Sequence, residues 1–244
     1  SCDVFFYEIA LKTGINNIAK ISREFGLGLP TGINLPGEKS GLIPDRKWKL
    51  DVKKQVWRPG ETIIAGIGQG YVLATPIQLA LMTARIANGG KKIKPTLLKS
   101  PILQASNANS VKVSEENLNI IKRAMEKVSL DEFGTGRNFR LGIKGVEMAG
   151  KTGTVQVRRI STKERESEEG VIKNEDRIWE WRDHALYVGY APMDKPRYAI
   201  SVIVEHGGSG SSKAGPIARD IMEATLTDDP TRFIPKNPIK KPLI

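Results

Sequence analysis

The chain has 244 residues, 39% hydrophobic and 27% charged, the composition of a globular domain, and none of its apolar runs approaches the ~18–20 residues that cross a bilayer. Its net charge of +11 comes from lysines and arginines scattered without interleaved aromatics, which argues against a nucleic-acid-binding surface. The single cysteine, Cys2, excludes an intrachain disulfide, and the two histidines, His184 and His206, have no zinc-finger spacing.

The chain begins Ser1-Cys2-Asp3 without the basic flank of a signal peptide, and Val4-Phe5-Phe6-Tyr7 is already core-like, so the sequence reads as a fragment of a longer protein. Phe6, Ile9, Ala10 and Thr13 recur at helical spacing and predict a helix over residues 3–13, stopped by Gly14. Ile18, Ala19, Ile21 and Phe25 predict a second helix over 16–25, ended by Gly26 and Gly28. Residues 29–44 are rich in glycine and proline and predict an ordered loop. Residues 47–61 are a charged segment carrying Trp48 and Trp57.

Thr75-Pro76-Ile77-Gln78 is a helix start: threonine caps, proline suits the first helical position, and the glutamine closes a capping box. Ile77, Ala80, Leu81, Ala84 and Ala87 then share a face, and Asn88-Gly89-Gly90 stops the helix. Residues 91–113 predict a short strand and loops. Ser114 caps another helix, with Glu115 and Glu116 in its first turn, running to about Val128.

The period changes near Val146. Residues 148–158 predict a strand, 159–183 a long charged connection, and 184–191 and 197–205 two strands joined at Asp194-Lys195-Pro196 as an antiparallel hairpin. Residues 213–226 predict a closing helix with Ile217, Ile221 and Ala224 inward. The tail over 228–244 holds four prolines and predicts a loose end beyond a domain over 1–227. Helices, then strands, then one helix define an α+β fold, an antiparallel sheet flanked by helices. Three strands leave apolar faces poorly covered, so further strands are expected from outside this chain.

Three places could carry chemistry. In Gly150-Lys151-Thr152-Gly153-Thr154, at the start of a predicted edge strand, the lysine supplies positive charge, the threonine hydroxyls donate hydrogen bonds, and Gly153 admits a ligand to the backbone. That set suits a carboxylate. Lys12-Thr13-Gly14 repeats the tripeptide at a helix end, where the glycine has a plain stopping role. Ser1 and Asp3 stand before an amphipathic helix and by themselves read as a cap. Gly66-Ile67-Gly68-Gln69-Gly70-Tyr71 fails as a phosphate loop, because Tyr71 occupies the third glycine position; it reads as a loop packed near a groove. His206-Gly207-Gly208-Ser209-Gly210 reads as a turn, and Trp48, Trp57, Trp179 and Trp181 as packing or loop anchors.

Taken together, Ser-x-Asp, Lys-Thr-Gly-Thr on a strand, a hairpin and a closing helix resemble the penicillin-interacting enzymes. Phe6-Tyr7, Thr31-Gly32-Ile33, Gly66 to Tyr71 with Ala74 to Gln78, and Ala191-Pro192 extend the resemblance to the rod-elongation class B penicillin-binding transpeptidases over residues 1–226. The resemblance implies the C-terminal part of a β-lactamase/transpeptidase-like domain. It implies an enzyme whose serine attacks the D-Ala–D-Ala bond of a peptidoglycan stem peptide, cross-links stems through an acyl-serine, and binds β-lactam antibiotics. On the matching positions, Ser1, Asp3 and Lys151 are the implied catalytic residues, and Thr152, Gly153 and Thr154 the implied substrate-binding ones. Other implied partners are the membrane proteins of the elongation complex, and the implied location is the periplasmic face of the inner membrane, with an anchoring helix upstream.

Two departures follow. No serine in the chain is followed three positions later by lysine, so the chain alone is expected to be inactive. Asp3 replaces the family's usual asparagine, as in the elongation subgroup. Some members of that subgroup bind zinc through the cysteine of Ser-Cys-Asp plus upstream ligands. Only Cys2 is present here, so neither metal nor other cofactor is expected for this chain. A β-lactam-sensing receptor shares the motifs and is the alternative; the 29–44 loop and Ala74 to Gln78 favour the transpeptidase.

Overall fold

A computed structural model describes residues 2–97, 109–158, 160, 164, 166–167 and 170–228. The predicted tail, apart from Asp228, and parts of the 91–113 and 159–183 segments lie outside these residues. Helices α1 (Asp3–Thr13), α2 (Ile15–Glu24), α3 (Arg46–Trp48) and α4 (Pro59–Gly66) precede α5 (Pro76–Ala87) and α6 (Glu115–Leu130); strands β1 (Ala149–Val155), β2 (His184–Ala191) and β3 (Tyr198–Val204) follow, and α7 (Gly215–Thr227) closes the fold. This is the predicted α+β arrangement, with an antiparallel sheet in the order β1-β2-β3.

The helix starts form as their sequences dictate. Thr75 Oγ1 accepts from Gln78 N at 3.3 Å while Gln78 Oε1 accepts from Thr75 N at 2.9 Å, a reciprocal cap worth about 1 kcal/mol. The fully buried Gln78 also donates from Nε2 to the carbonyls of Leu29 (2.7 Å) and Ser40 (2.8 Å), so one side chain both caps α5 and ties down the Gly/Pro-rich loop. Within that loop the Glu38 carboxylate accepts from the Thr31 hydroxyl and from the backbone N–H groups of Thr31 and Gly32. These bonds, with Lys94 nearby, hold its pKa below the usual glutamate value.

Residues 47–61 contain regular structure that the charged composition hides. α3 runs into a π-helical turn, Lys49–Lys53, and α4 starts with Pro59 at its first position. Arg58 N donates to Glu61 Oε2 at 2.7 Å, and Glu61 also neutralises the buried Lys49. Trp57 is buried, with its indole N–H on Thr62 Oγ1 at 2.8 Å.

The sheet has two covered faces. Ala185, Tyr187 and Ala191 of β2 pack on Ala218, Met222 and Leu226 of α7, with Phe139 and Met148 completing that core. Tyr190 and Ala149 pack on the opposite side against Ala87 of α5 and Met125 of α6. Phe139 meets Tyr187 edge to face at 5.1 Å. The expected inward face of α7 is corrected: Ile217, Ile221 and Ala224 are exposed, and the stripe one residue further on is buried. Gly215 fixes the rotation, since a Cβ there would lie 2.4 Å from the Phe139 ring.

Two more expectations change. On α1 only Ala10 is buried, and Phe6 and Ile9 lie exposed beside Val4 and Phe5. The helical spacing is real, but among the described residues no element covers that face. In the charged connection, the described residues 170–183 are built around Arg177, and Trp179 and Trp181 project from them instead of anchoring the loop.

Candidate functional site

β1 is an edge strand, and its inner neighbour holds it rigidly. Lys151 pairs with Val188, Thr152 with Tyr187, Gly153 with Leu186 and Thr154 with Ala185. Gly150 is required by space: a Cβ would lie 2.0 Å from the Tyr187 hydroxyl and 2.5 Å from the Val188 carbonyl. Behind the strand, Gly210 opens a π-helical turn (Gly210–Ala214) that leads into α7. A Cβ on Gly210 would lie 2.4 Å from the carbonyl oxygens of both Gly153 and Leu186, so this turn is pressed against the middle of the motif.

Two loops reach β1 from distant parts of the chain. Gln69 Nε2 donates to the Thr154 carbonyl at 3.1 Å, which places the glycine-rich loop after α4 beside the motif, as expected for a loop near a groove. The hydroxyls of Thr135 and Thr152 lie 2.9 Å apart, and Thr135 stands between Gly134 and Gly136 in the turn after α6. That turn is shaped by backbone crowding, since a Cβ on Gly134 would lie 2.3 Å from the Val128 carbonyl. Neither Gln69 nor Thr135 was singled out as a site residue from sequence; a glycine on each side is the one local signal they share.

Lys151 Nζ donates to the carbonyl of Thr152 at 2.7 Å. The side chain reaches solvent, yet enough protein surrounds the amine to lower its pKa by desolvation, an effect that the Asp3 carboxylate partly opposes. The opposing effect is electrostatic, so Asp3, in the first turn of α1, lies within charge–charge reach of Lys151 on β1. Of the six site residues expected from sequence, Lys151, Thr152, Gly153 and Thr154 lie together on β1, Asp3 lies in the first turn of α1 within electrostatic reach of Lys151, and Ser1 lies outside the described residues.

A Lys-Thr-Gly-Thr strand at the edge of a three-stranded antiparallel sheet backed by helices is the arrangement that the resemblance to penicillin-interacting proteins implies. The penicillin binding protein transpeptidase domain matches residues 1–223, and the chain belongs to that family. Within it, the chain is similar to the peptidoglycan D,D-transpeptidase MrdA of Acinetobacter baumannii, at 38% identity over 98% of this chain and 34% of that protein, and to MrdA of Haemophilus influenzae, at 37% over 93% and 35%. The chain thus spans about a third of the length of the curated relatives it matches. Among solved structures it is similar to penicillin-binding protein 2 of Pseudomonas aeruginosa in complex with WCK 5153 (TM-score 0.77, 38% identity, 93% of this chain and 48% of that one). It is also similar to penicillin-binding protein 2 of Helicobacter pylori in complex with MreC (TM-score 0.79, 34% identity, 94% and 39%). The resemblance read from the motifs to the elongation-type transpeptidases is borne out.

Cys2 is exposed, and among the described residues no group of three or more histidine, cysteine or acidic side chains could hold a metal. No described helix is long and apolar enough to cross a membrane.

Proposed function

We propose that this chain is the substrate-gripping part of a periplasmic peptidoglycan D,D-transpeptidase, completed by a nucleophilic serine that lies outside its sequence. In the complete protein that serine attacks the carbonyl of the penultimate D-alanine of a stem peptide. The C–N bond to the terminal D-alanine breaks, the leaving amine takes a proton, and the acyl-serine is resolved by an amine of a neighbouring stem. Lys151 sets a positive field for the terminal carboxylate and hydrogen-bonds toward Ser1, which passes a proton to the leaving amine. Thr152 and Thr154 hold the carboxylate through their hydroxyls, with Gly153 leaving the backbone open to the ligand. The Thr154 N–H is one of two donors to the oxyanion, a contact worth about 3 kcal/mol in the transition state. Asp3 orients the lysine that accompanies the nucleophile. β-Lactams mimic the dipeptide and stop at the acyl stage.

The observation that supports this reading is the convergence on β1 of loops distant in the chain: Gln69 Nε2 donates to the Thr154 carbonyl at 3.1 Å, and the Thr135 and Thr152 hydroxyls lie 2.9 Å apart. MreC, seated on the Helicobacter pylori protein, and the other membrane proteins of an elongation complex are the partners the reading implies. The test is labelling with a fluorescent penicillin. The complete protein is expected to be marked covalently and this chain alone to remain unmarked, because it holds no serine followed three positions later by lysine. A complete protein that binds penicillin reversibly, with no covalent mark, would contradict the reading.

A further inference from the structure

The connection between β1 and β2 carries a feature that the cleft does not use. Ile178, Trp179 and Trp181 stand out of a short 3-10 turn, with the two tryptophans 56% and 55% exposed. Their base is built to stay in place. The buried Arg177 pairs with Asp183 at 3.1 Å and donates to the Ile172 carbonyl at 3.1 Å, while Arg182 donates to the carbonyls of Arg177 (3.0 Å) and Glu175 (3.1 Å). The Trp179 ring lies 4.3 Å from the His206 imidazole. His206 in turn is fixed through its Nδ1, 2.9 Å from the Arg182 carbonyl, and its N–H, which donates to His184 Nδ1 at 2.9 Å. Large apolar rings kept in water on a braced support, rather than folded inward, mark a binding surface.

The position and charge of this ridge indicate its ligand. Val155, the last residue of β1, pairs with His184, and Val157 N donates to Asp183 Oδ1 at 3.3 Å. The ridge is therefore braced against the far end of the strand that carries Lys151 to Thr154. Three residues of strand, about 10 Å, separate Thr152 from that end, a distance that a few residues of extended peptide can cover. Across residues 173–183, four acidic side chains (Glu175, Asp176, Glu180 and Asp183) oppose three basic ones (Lys173, Arg177 and Arg182), a near-neutral stretch in a chain whose net charge is +11. Such a near-neutral surface offers anionic polymers and lipid headgroups no cationic patch and leaves an uncharged ligand favoured.

We propose that Trp179 and Trp181 form a stacking platform for the N-acetylated sugars of the glycan strand whose stem peptide occupies the cleft. The apolar C–H faces of pyranose rings fit flat indoles, and tryptophan provides large contact area at low entropic cost. The inference rests on the transpeptidase reading, which supplies the stem peptide and hence the sugars at its other end.

The experiment uses the complete protein and an uncharged N-acetylglucosamine oligomer as the probe, with affinity followed by intrinsic fluorescence and calorimetry. Trp181→Ala is expected to weaken oligomer binding about tenfold, the usual scale for a lost aromatic stacking contact, and Trp181→Tyr to keep most of it. Fluorescent-penicillin labelling in parallel separates the two ideas. If the unsubstituted complete protein is not labelled, the transpeptidase reading fails. If labelling is intact but Trp179→Ala and Trp181→Ala bind the oligomer as tightly as the parent, the platform is overturned. It is equally overturned if those variants keep sugar binding and lose a membrane-protein partner of the elongation complex, which would make the ridge a protein-docking surface.

Discussion

The chain contains Lys-Thr-Gly twice, and the two copies meet opposite fates. Lys12-Thr13-Gly14 ends α1: Lys12 is exposed, the Thr13 carbonyl is taken by Asn17 Nδ2 at 2.9 Å, and Gly14 serves the chain reversal with a φ of 76° and open space where a Cβ would go. Lys151-Thr152-Gly153 lies on a sheet edge, with its lysine desolvated, its threonine hydroxyl beside Thr135, and Gly210 pressed against its glycine. A tripeptide has no chemistry of its own. The helix end disperses the three side chains, whereas the strand holds its backbone flat against a neighbour and lines up alternate residues along an open edge.

That contrast can be broken most strongly at the two lysines. In the complete protein, Lys151→Ala is expected to slow penicillin acylation by about a hundredfold or more, the scale of losing a group that stabilises developing charge, while Lys12→Ala leaves the rate within about twofold. Equal effects from stopped-flow acylation would erase the distinction. The glycines sharpen it next. Gly210→Ala and Gly14→Ala are each expected to lower stability by about 1–3 kcal/mol, the first through overpacking and the second through backbone strain. Only the Gly210 change should also slow acylation, because it displaces β1; denaturation curves and acylation rates on the same samples read both.

The smallest effect concerns charge. Desolvation already lowers the pKa of Lys151 and Asp3 opposes that shift, so Asp3→Asn should lower it further. The ammonium form is the one that draws in a carboxylate. The high-pH limb of the acylation profile should therefore move to lower pH in the Asp3→Asn protein. A limb that stays in place or moves up would show that the two charges do not communicate.

Much of this architecture was legible in the sequence because it is set by neighbours in the chain. Thr75 and Ser114 cap their helices as predicted, accepting from Gln78 N and Asn117 N. The β2–β3 hairpin forms around the turn at residues 194–196. α4 was hidden because Gly60, Gly66 and the β-branched Thr62, Ile63 and Ile64 are poor helix formers; burial of Thr62 and Ala65 and the Arg58–Glu61 cap hold it together. The inward face of α7 was not legible, since two apolar stripes run along it and the choice is made by tertiary packing, including the Gly215–Phe139 contact. The residue types of the strand motif made it a candidate carboxylate site in the sequence, and the structure places them together on β1. Gln69 was not legible, because it meets Thr154 across 85 positions of chain, and a contact of that kind exists only once the fold has formed.

The account turns on the proposal that the first turn of α1 and the edge of β1 serve one substrate site. A crystal structure of the complete protein acylated by a penicillin addresses it directly. The drug's carboxylate should lie within hydrogen-bonding distance of the Thr152 and Thr154 hydroxyls, with Ser1 and Lys151 both lining the cavity around the acylated serine. A drug carboxylate bound elsewhere, with Ser1 turned away from Lys151, would contradict the account.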